Sequence, residues 1–269
     1  MKLLQNRLEE IMDGQLISPP TILKLASHPI RWSLLIRLAR SDYRVQDLVE
    51  YLKLPQNLVS YHLRQLRSGW LVTERKSSAD ERSVYYRLDL EQFHLFYMDA
   101  GEQLHPAITG ARTAPDNEEI GSSTPSLRIL FLCTENSARS QMAEALMRHL
   151  SHGTMAAYSA GNRPAQQVHP LAQRVMQRMG IDISQAIPRH CETFFGEHFD
   201  AIVTVCDRVR ELCPLFPNDP ERIHWSFPDP AQVEGTEEVQ YAAFEQTARQ
   251  LTTRIRLLIT LLQREKGYL

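Results

Sequence analysis

Cys133 and Arg139, with five residues between them, are the pair in this chain best suited to chemistry. They enclose Thr134, Glu135, Asn136, Ser137 and Ala138, and Ser140 follows. A thiolate is a strong nucleophile, and a planar guanidinium fork fits two oxygens of a tetrahedral oxyanion. A short loop running into a helix adds orphan N–H donors and the positive end of the helix dipole. Those donors also stabilise an anionic sulfur, so the spacing predicts a cysteine ionising below the free-thiol value of about 8.5. The expected chemistry is attack by Cys133 on an oxyanion cradled by residues 134–140. The plainer alternative is a small buried cysteine beside a surface arginine.

Three further residues belong to the same expectation. Cys206 and Cys213 bracket Asp-Arg-Val-Arg-Glu-Leu, too far apart for a rigid C-x-x-C. They can pair if the intervening turn opens, passing oxidation outward by thiol–disulfide exchange; otherwise they are packing cysteines. Asp229 lies between Pro228 and Pro230, where a stiffened loop can present a carboxylate as general acid. Cys191 matches no such role and reads as structural. From these residues alone, phosphate hydrolysis and reductive chemistry both remain open.

The elements that position them read as an α/β unit. Leu127–Leu132 is a continuous apolar run, as in a buried parallel strand, and Gln141–Leu150 has helical spacing. Met155–Ser159 and Phe199–Val205 read as further strands, Val168–Met179 and Gln240–Gln263 as helices. Strands alternating with helices imply a parallel sheet with active loops at the strand C-termini, which places Cys133 and Cys206 on one rim.

The first part of the chain is different. Residues 21–40 have helical spacing interrupted by Pro29, and Val45–Leu52 forms a short helix broken by Lys53-Leu54-Pro55. Gln56–Ser68 resumes the helix, with Leu58, Val59, Leu63 and Leu66 for one face and Gly69 as terminator. Two helices joined by so short a turn are a helix-turn-helix. The polar side offers Gln56, Asn57, Ser60, Tyr61, His62 and Arg64, residue types that reach bases and phosphates. Strands at Trp70–Glu74 and Ser83–Leu88 follow, and the tip between them carries Lys76 and Arg82, a wing able to touch the DNA backbone. Residues 53–76 hold five basic side chains against one acidic, although the whole chain carries a net charge of −2.

Length and composition agree with two domains. The chain has 269 residues, 43% apolar and 23% charged, and lacks any run near the ~20 apolar residues of a membrane span. A mixed charged and apolar N-terminus argues against a signal peptide, so the expectation is a cytoplasmic protein without membrane contact. All four cysteines follow residue 132, and in a reducing compartment such cysteines are catalytic or redox-active more often than a framework. Residues 106–126, small, polar and aperiodic, read as a flexible linker between domains at 1–105 and 127–269. No metal-ligand set is assigned; Asp99 and His105 read as solvated side chains.

Leu54-Pro-Gln-Asn-Leu-Val-Ser-Tyr-His-Leu-Arg-Gln-Leu66, Gly69-Trp-Leu-Val72 and Val84-Tyr-Tyr-Arg-Leu88 resemble the ArsR-type winged-helix repressors. The resemblance implies a mainly α winged helix-turn-helix domain that binds double-stranded operator DNA as a homodimer. The cysteine pair of its arsenite-sensing members is missing from Asp42–Leu48, so arsenite cannot be held by that route. From Leu127 onward, Leu132-Cys-Thr-Glu-Asn-Ser-Ala-Arg-Ser-Gln-Met-Ala-Glu144, Tyr158-Ser-Ala-Gly161, Val205-Cys-Asp207, Cys213-Pro214 and His224-Trp-Ser-Phe-Pro-Asp-Pro230 resemble thioredoxin-coupled arsenate reductases. These have the low-molecular-weight tyrosine phosphatase fold.

That resemblance implies that Cys133 attacks arsenate held by the loop amides and Arg139, while Ser140 and Asn136 hold the thiolate and the loop. It further implies that Asp229 protonates the leaving oxygen and that Cys206 and then Cys213 carry the disulfide. The same resemblance implies no bound cofactor and thioredoxin as the electron donor. Glu135 stands where the family has a small glycine, and Ala138 where tyrosine phosphatases keep a second cysteine. The alternatives are a tyrosine phosphatase fused to a regulator, and a regulator whose second domain senses an oxyanion or redox state without catalysis.

Overall fold

A computed structural model describes residues 18–80, 82–105, 127–212 and 222–265. Pro29 divides the first apolar stretch into α1 (Thr21–Ala26) and α2 (Pro29–Arg40), because proline fits the first helical position and His28 Nδ1 accepts from the Ile30 N–H at 3.2 Å. Helix α3 (Val45–Leu52) starts where the Arg44 N–H donates to Asp47 Oδ2 at 2.9 Å, and stops at Lys53, whose φ of 53° is left-handed. Pro55 then opens α4 (Gln56–Ser68). Gly69 ends α4 at φ −90°, and the left-handed residue is its neighbour Trp70 at φ 61°.

Val59, Leu63 and Leu66 of α4 are buried with Leu34, Leu35 and Leu38 of α2, while Leu58 is only half-buried. Strands β2 (Val72–Lys76) and β3 (Val84–Leu88) form the antiparallel hairpin, and a two-residue β1 (Tyr43–Arg44) adds to β3, too short to leave a period in the sequence. Helix α5 (Leu90–Leu104) follows, its first turn capped by Asp89, which accepts from the Gln92 N–H at 3.0 Å.

The second domain is α/β, with a four-stranded parallel sheet. Strands β4 (Leu127–Cys133), β5 (Met155–Gly161), β6 (Ala201–Thr204) and β7 (Arg222–His224) lie in the order β5-β4-β6-β7. Because β4 is first in sequence and central in space, its neighbours lead away to opposite sides, and the crevice at its C-terminal end is the topological switch point. Cys133 is the last residue of β4. The helices are α6 (Arg139–Leu150), α7 (Pro170–Arg178), α8 (Asp207–Leu212) and α9 (Glu237–Glu265), with α9 packed on α6 and α7. The three-residue β7 escapes a sequence reading because it is shorter than one recognisable period. No helix among the described residues is long and apolar enough to cross a membrane.

Each domain has its own hydrophobic core. Residues 106–126, expected as linker, lie outside the described residues, yet the domains touch directly. The Asp42 N–H donates to the His224 carbonyl at 2.6 Å, and Trp225 Nε1 donates to the Arg40 carbonyl at 3.0 Å.

Candidate active site

The loop after β4 is held from outside by its own carbonyls. Those of Thr134, Glu135 and Ser137 accept from the N–H groups of Arg163 (2.9 Å), Ala165 (2.9 Å) and His169 (2.8 Å). Across a trans peptide the N–H points opposite to the C=O, so outward carbonyls turn the intervening N–H groups inward. The Asn136 N–H follows this rule and donates to Cys133 Sγ at 3.1 Å. Ser140 Oγ lies 2.8 Å from the same sulfur, and Cys133 is 2% exposed. The Asn136 N–H and the Ser140 hydroxyl thus both meet the Cys133 sulfur.

Asn136 is the keystone of the loop. At φ 50° it occupies the left-handed region that asparagine tolerates better than most residues. Its Nδ2 donates to Ser140 Oγ (2.9 Å) and Ser159 Oγ (2.8 Å), and its Oδ1 accepts from Gln141 Nε2 (3.0 Å) and the Arg189 N–H (2.8 Å). The spacing gives no sign of Gln141, Ser159 and Arg189 as supports; Arg189 is 53 residues from Asn136 and carries no local signature. Gly161, at the end of β5, lets the loop backbone approach: a Cβ there would stand 2.5 Å from the Thr134 carbonyl oxygen and 2.9 Å from the Asn136 nitrogen.

Arg139 opens α6 and is buried. Its Nη1 donates to the Phe227 carbonyl at 3.1 Å and its Nη2 to Asp229 Oδ2 at 2.6 Å. Asp229 is thereby ion-paired with the loop arginine. Asp229 Oδ1 accepts from the Ala231 N–H at 3.2 Å, which fixes the carboxylate at the start of a short 3-10 turn. Glu135, the departure from the usual glycine, is exposed and points along the rim, where Ser137 Oγ donates to it at 3.4 Å.

Cys206 shares this rim, with its Sγ 3.4 Å from Thr134 Oγ1. Burial, and then the neighbouring Cys133, push the Cys206 thiol up; Arg139 and the Thr134 hydroxyl pull the other way without prevailing. Thr134, Glu135, Arg139, Cys206, Arg208, Asp229, Gln232 and, from the hairpin of the first domain, Ser78 line one cavity of about 30 Å³. A larger cavity of about 740 Å³ lies beyond α6, against Glu144, Arg148 and Arg189, and reaches neither cysteine. Cys213 lies outside the described residues. Cys191 is buried in the second core.

In the first domain, Gln56, Asn57, Tyr61 and Arg64 are exposed along α4, with Ser60 half-buried, and Lys76 and Arg82 are exposed on the hairpin. His62 departs from that face. It is 4% exposed, with its ring 4.4 Å from that of His28, on the interior side of the helix. Asp99 is exposed and accepts from Gln103 Nε2 at 2.6 Å.

Comparison with known proteins follows the same division. The family described as low molecular weight phosphotyrosine protein phosphatase matches residues 128–267, and the bacterial regulatory protein arsR family matches residues 28–73. An arsenate reductase from Halalkalibacterium halodurans is 39% identical over 128 residues, covering 48% of this chain and 91% of the relative. One from Bacillus subtilis is 37% identical over the same length and shares. A solved arsenate reductase in a phosphate binding state overlaps 50% of this chain and 97% of its own, at 29% identity and a TM-score of 0.44. The matches divide where the two cores divide, and the chain belongs to the low molecular weight phosphotyrosine protein phosphatase family, with an arsR-family helix-turn-helix domain ahead of that fold in the same polypeptide.

Proposed function

We propose that this chain is an arsenate reductase joined to an operator-binding repressor domain, the two occupying residues 127–269 and 1–105. The observation that carries the reading is the second thiol, Cys206, which lies beside Thr134 on the cavity lined by Arg139 and Asp229 and feels the charge of Cys133. A phosphatase of this fold frees its cysteine with water and has no use for that thiol. The reductases of Halalkalibacterium halodurans and Bacillus subtilis supply the substrate by analogy.

In this mechanism the Cys133 sulfur attacks arsenate held by Arg139 and the amides of residues 134–140, and one oxygen leaves as water with a proton from Asp229. Cys206 then attacks the Cys133 sulfur. The new S–S bond leaves its electron pair on arsenic, which departs as arsenite. Cys213 attacks Cys206, freeing Cys133, and a dithiol donor of the thioredoxin class reduces the Cys206–Cys213 pair. The electrostatics favour this order. The Cys133 charge is one reason the Cys206 thiol is pushed up, second to burial, so bonding Cys133 to arsenic removes a barrier to Cys206 ionising.

The exposed face of α4 with Lys76 and Arg82 makes the DNA-contacting surface. Tyr97 and Leu104 of α5, seven residues apart on one side of the helix, are 58% and 73% exposed and supply an apolar face for a homodimer.

The test is arsenite release with thioredoxin, thioredoxin reductase and NADPH for the wild type and three variants. Cys133→Ser should form no adduct, Cys206→Ser no arsenite, and Cys213→Ser at most one turnover. Continued multiple turnover by Cys206→Ser, or hydrolysis of phosphotyrosine without arsenite release by the wild type, would replace this reading with the phosphatase.

A further inference from the structure

The hairpin that should touch DNA is bonded instead to the residue next to Cys206. Arg75, in β2, donates from Nε to Ser226 Oγ at 3.0 Å, and its Nη2 is ion-paired with Asp207 Oδ2. At the hairpin tip the Ser78 N–H donates to Asp207 Oδ2 at 2.8 Å, and Ser78 Oγ lies 3.1 Å from it. Asp207 begins α8 immediately after Cys206 and is fully buried. Its other oxygen accepts from Ser226 Oγ at 2.7 Å and is 3.2 Å from His224 Nε2. One oxygen of this carboxylate is therefore satisfied mainly from the first domain and the other from the second.

A buried carboxylate must keep its donors or re-solvate. Lifting the hairpin removes Arg75 and both Ser78 donors, so Asp207, and the Cys206 turn with it, must move toward water. Ser78 also stands on the wall of the cavity that holds Cys206, Arg139 and Asp229. Lys76 and Arg82, the basic side chains suited to a phosphate backbone, ride on the same hairpin and are exposed.

We propose that the wing is a lid on the cysteine site, with Arg75 and Ser78 as positioning residues that hold Asp207 and through it Cys206. A hairpin taken up by DNA is then a hairpin withdrawn from Cys206. By reciprocity, whatever displaces Cys206 weakens the docked hairpin by the same free energy.

The inference rests on reading the hairpin as a DNA-contacting wing, but its test uses neither arsenate nor turnover. The fully reduced, full-length chain is alkylated with iodoacetamide, and the rates at Cys206 and at the remote, buried Cys191 are read by peptide mass spectrometry. Arg75→Ala should raise the Cys206 rate about tenfold, within the usual span of inter-site coupling, and leave Cys191 unchanged. Arg75→Lys should restore most of the protection, and Ser78→Ala should give a smaller rise. Saturating mixed-sequence duplex DNA at low salt should raise the wild-type Cys206 rate and add nothing to Arg75→Ala. If Arg75→Ala also opens Cys191, Ser78→Ala carries the test, since it removes one hydroxyl and keeps the amide donor. Equal Cys206 rates in wild type and Ser78→Ala, or bound DNA without change at Cys206, overturn the lid.

Discussion

Gly161 carries no chemistry, yet the loop that follows Cys133 depends on it. A methyl group there would sit 2.5 Å from the Thr134 carbonyl oxygen and 2.9 Å from the Asn136 nitrogen, closer than real Cβ contacts come. Both neighbours are backbone, so no rotamer change relieves the clash. The loop would have to lift away from β5 and loosen the hydrogen bond from the Asn136 N–H to Cys133 Sγ. Gly161→Ala should therefore cost about 1–3 kcal/mol of stability, the range for overpacking. It should lower turnover more than tenfold, since small misplacements at a reacting centre act strongly on rate. Thermal melts and arsenite release read the two effects separately. A variant with wild-type turnover would mean that the loop can re-form its cradle away from β5.

At the scale of elements, α4 separates two roles that its sequence leaves mixed. Tyr61, His62 and Arg64 are all polar enough for a DNA face, but the helical turn puts His62 inside and the other two outside. Burial lowers the His62 pKa, helped by His28 and Arg31, so it is held as a neutral interior ring. Arg64→Ala should weaken binding of duplex DNA and reduce the salt slope of log K by about one, as for a lost phosphate contact. His62→Ala should instead lower the melting temperature and leave that slope unchanged; anisotropy titrations at several salt concentrations distinguish them. The strand, loop and helix around Cys133 were legible because they are contiguous in the chain. The facing of His62 was not, because a ring of intermediate polarity gives no sign of inside or outside. Arg189 behind Asn136 and Ser78 against Asp207 were hidden for another reason: their partners lie 53 and 129 residues away, and the contacts obey no local period.

For the whole molecule, the sequence suggests two domains on a tether, whereas the contacts make an interface with buried charge. Asp42, fully buried two residues beyond the end of α2, accepts from Arg254 Nη2 at 2.7 Å and from the Ser226 N–H at 2.6 Å. Arg210 donates to Asp47 Oδ2 at 2.9 Å, and the His224 N–H donates to Ser41 Oγ at 2.8 Å. Removing one partner of a buried pair strands the other, at about 3–5 kcal/mol. Acid should act in the same direction. Burial, helped by the Arg210 charge, holds the His224 pKa down despite Asp207 and Asp42, so its neutral form is the one that fits the folded interface. A base with a lowered folded pKa contributes stability that is complete above its unfolded value of about 6.5 and declines as pH falls below it. Asp207 has the opposite chemistry but the same sign. Burial raises it, hydrogen bonds from His224, Ser78 and Ser226 together with the Arg75 charge more than offset this, and its contribution is lost only at pH values below about 3.9. Calorimetry of the reduced full chain should thus show one transition at pH 7.5. Asp42→Ala should split it into two at that pH, and the wild type should broaden toward two near pH 5.5 as His224 takes up a proton on undocking. Two independent wild-type transitions at pH 7.5 would show that the buried ion pairs do not couple the domains in solution.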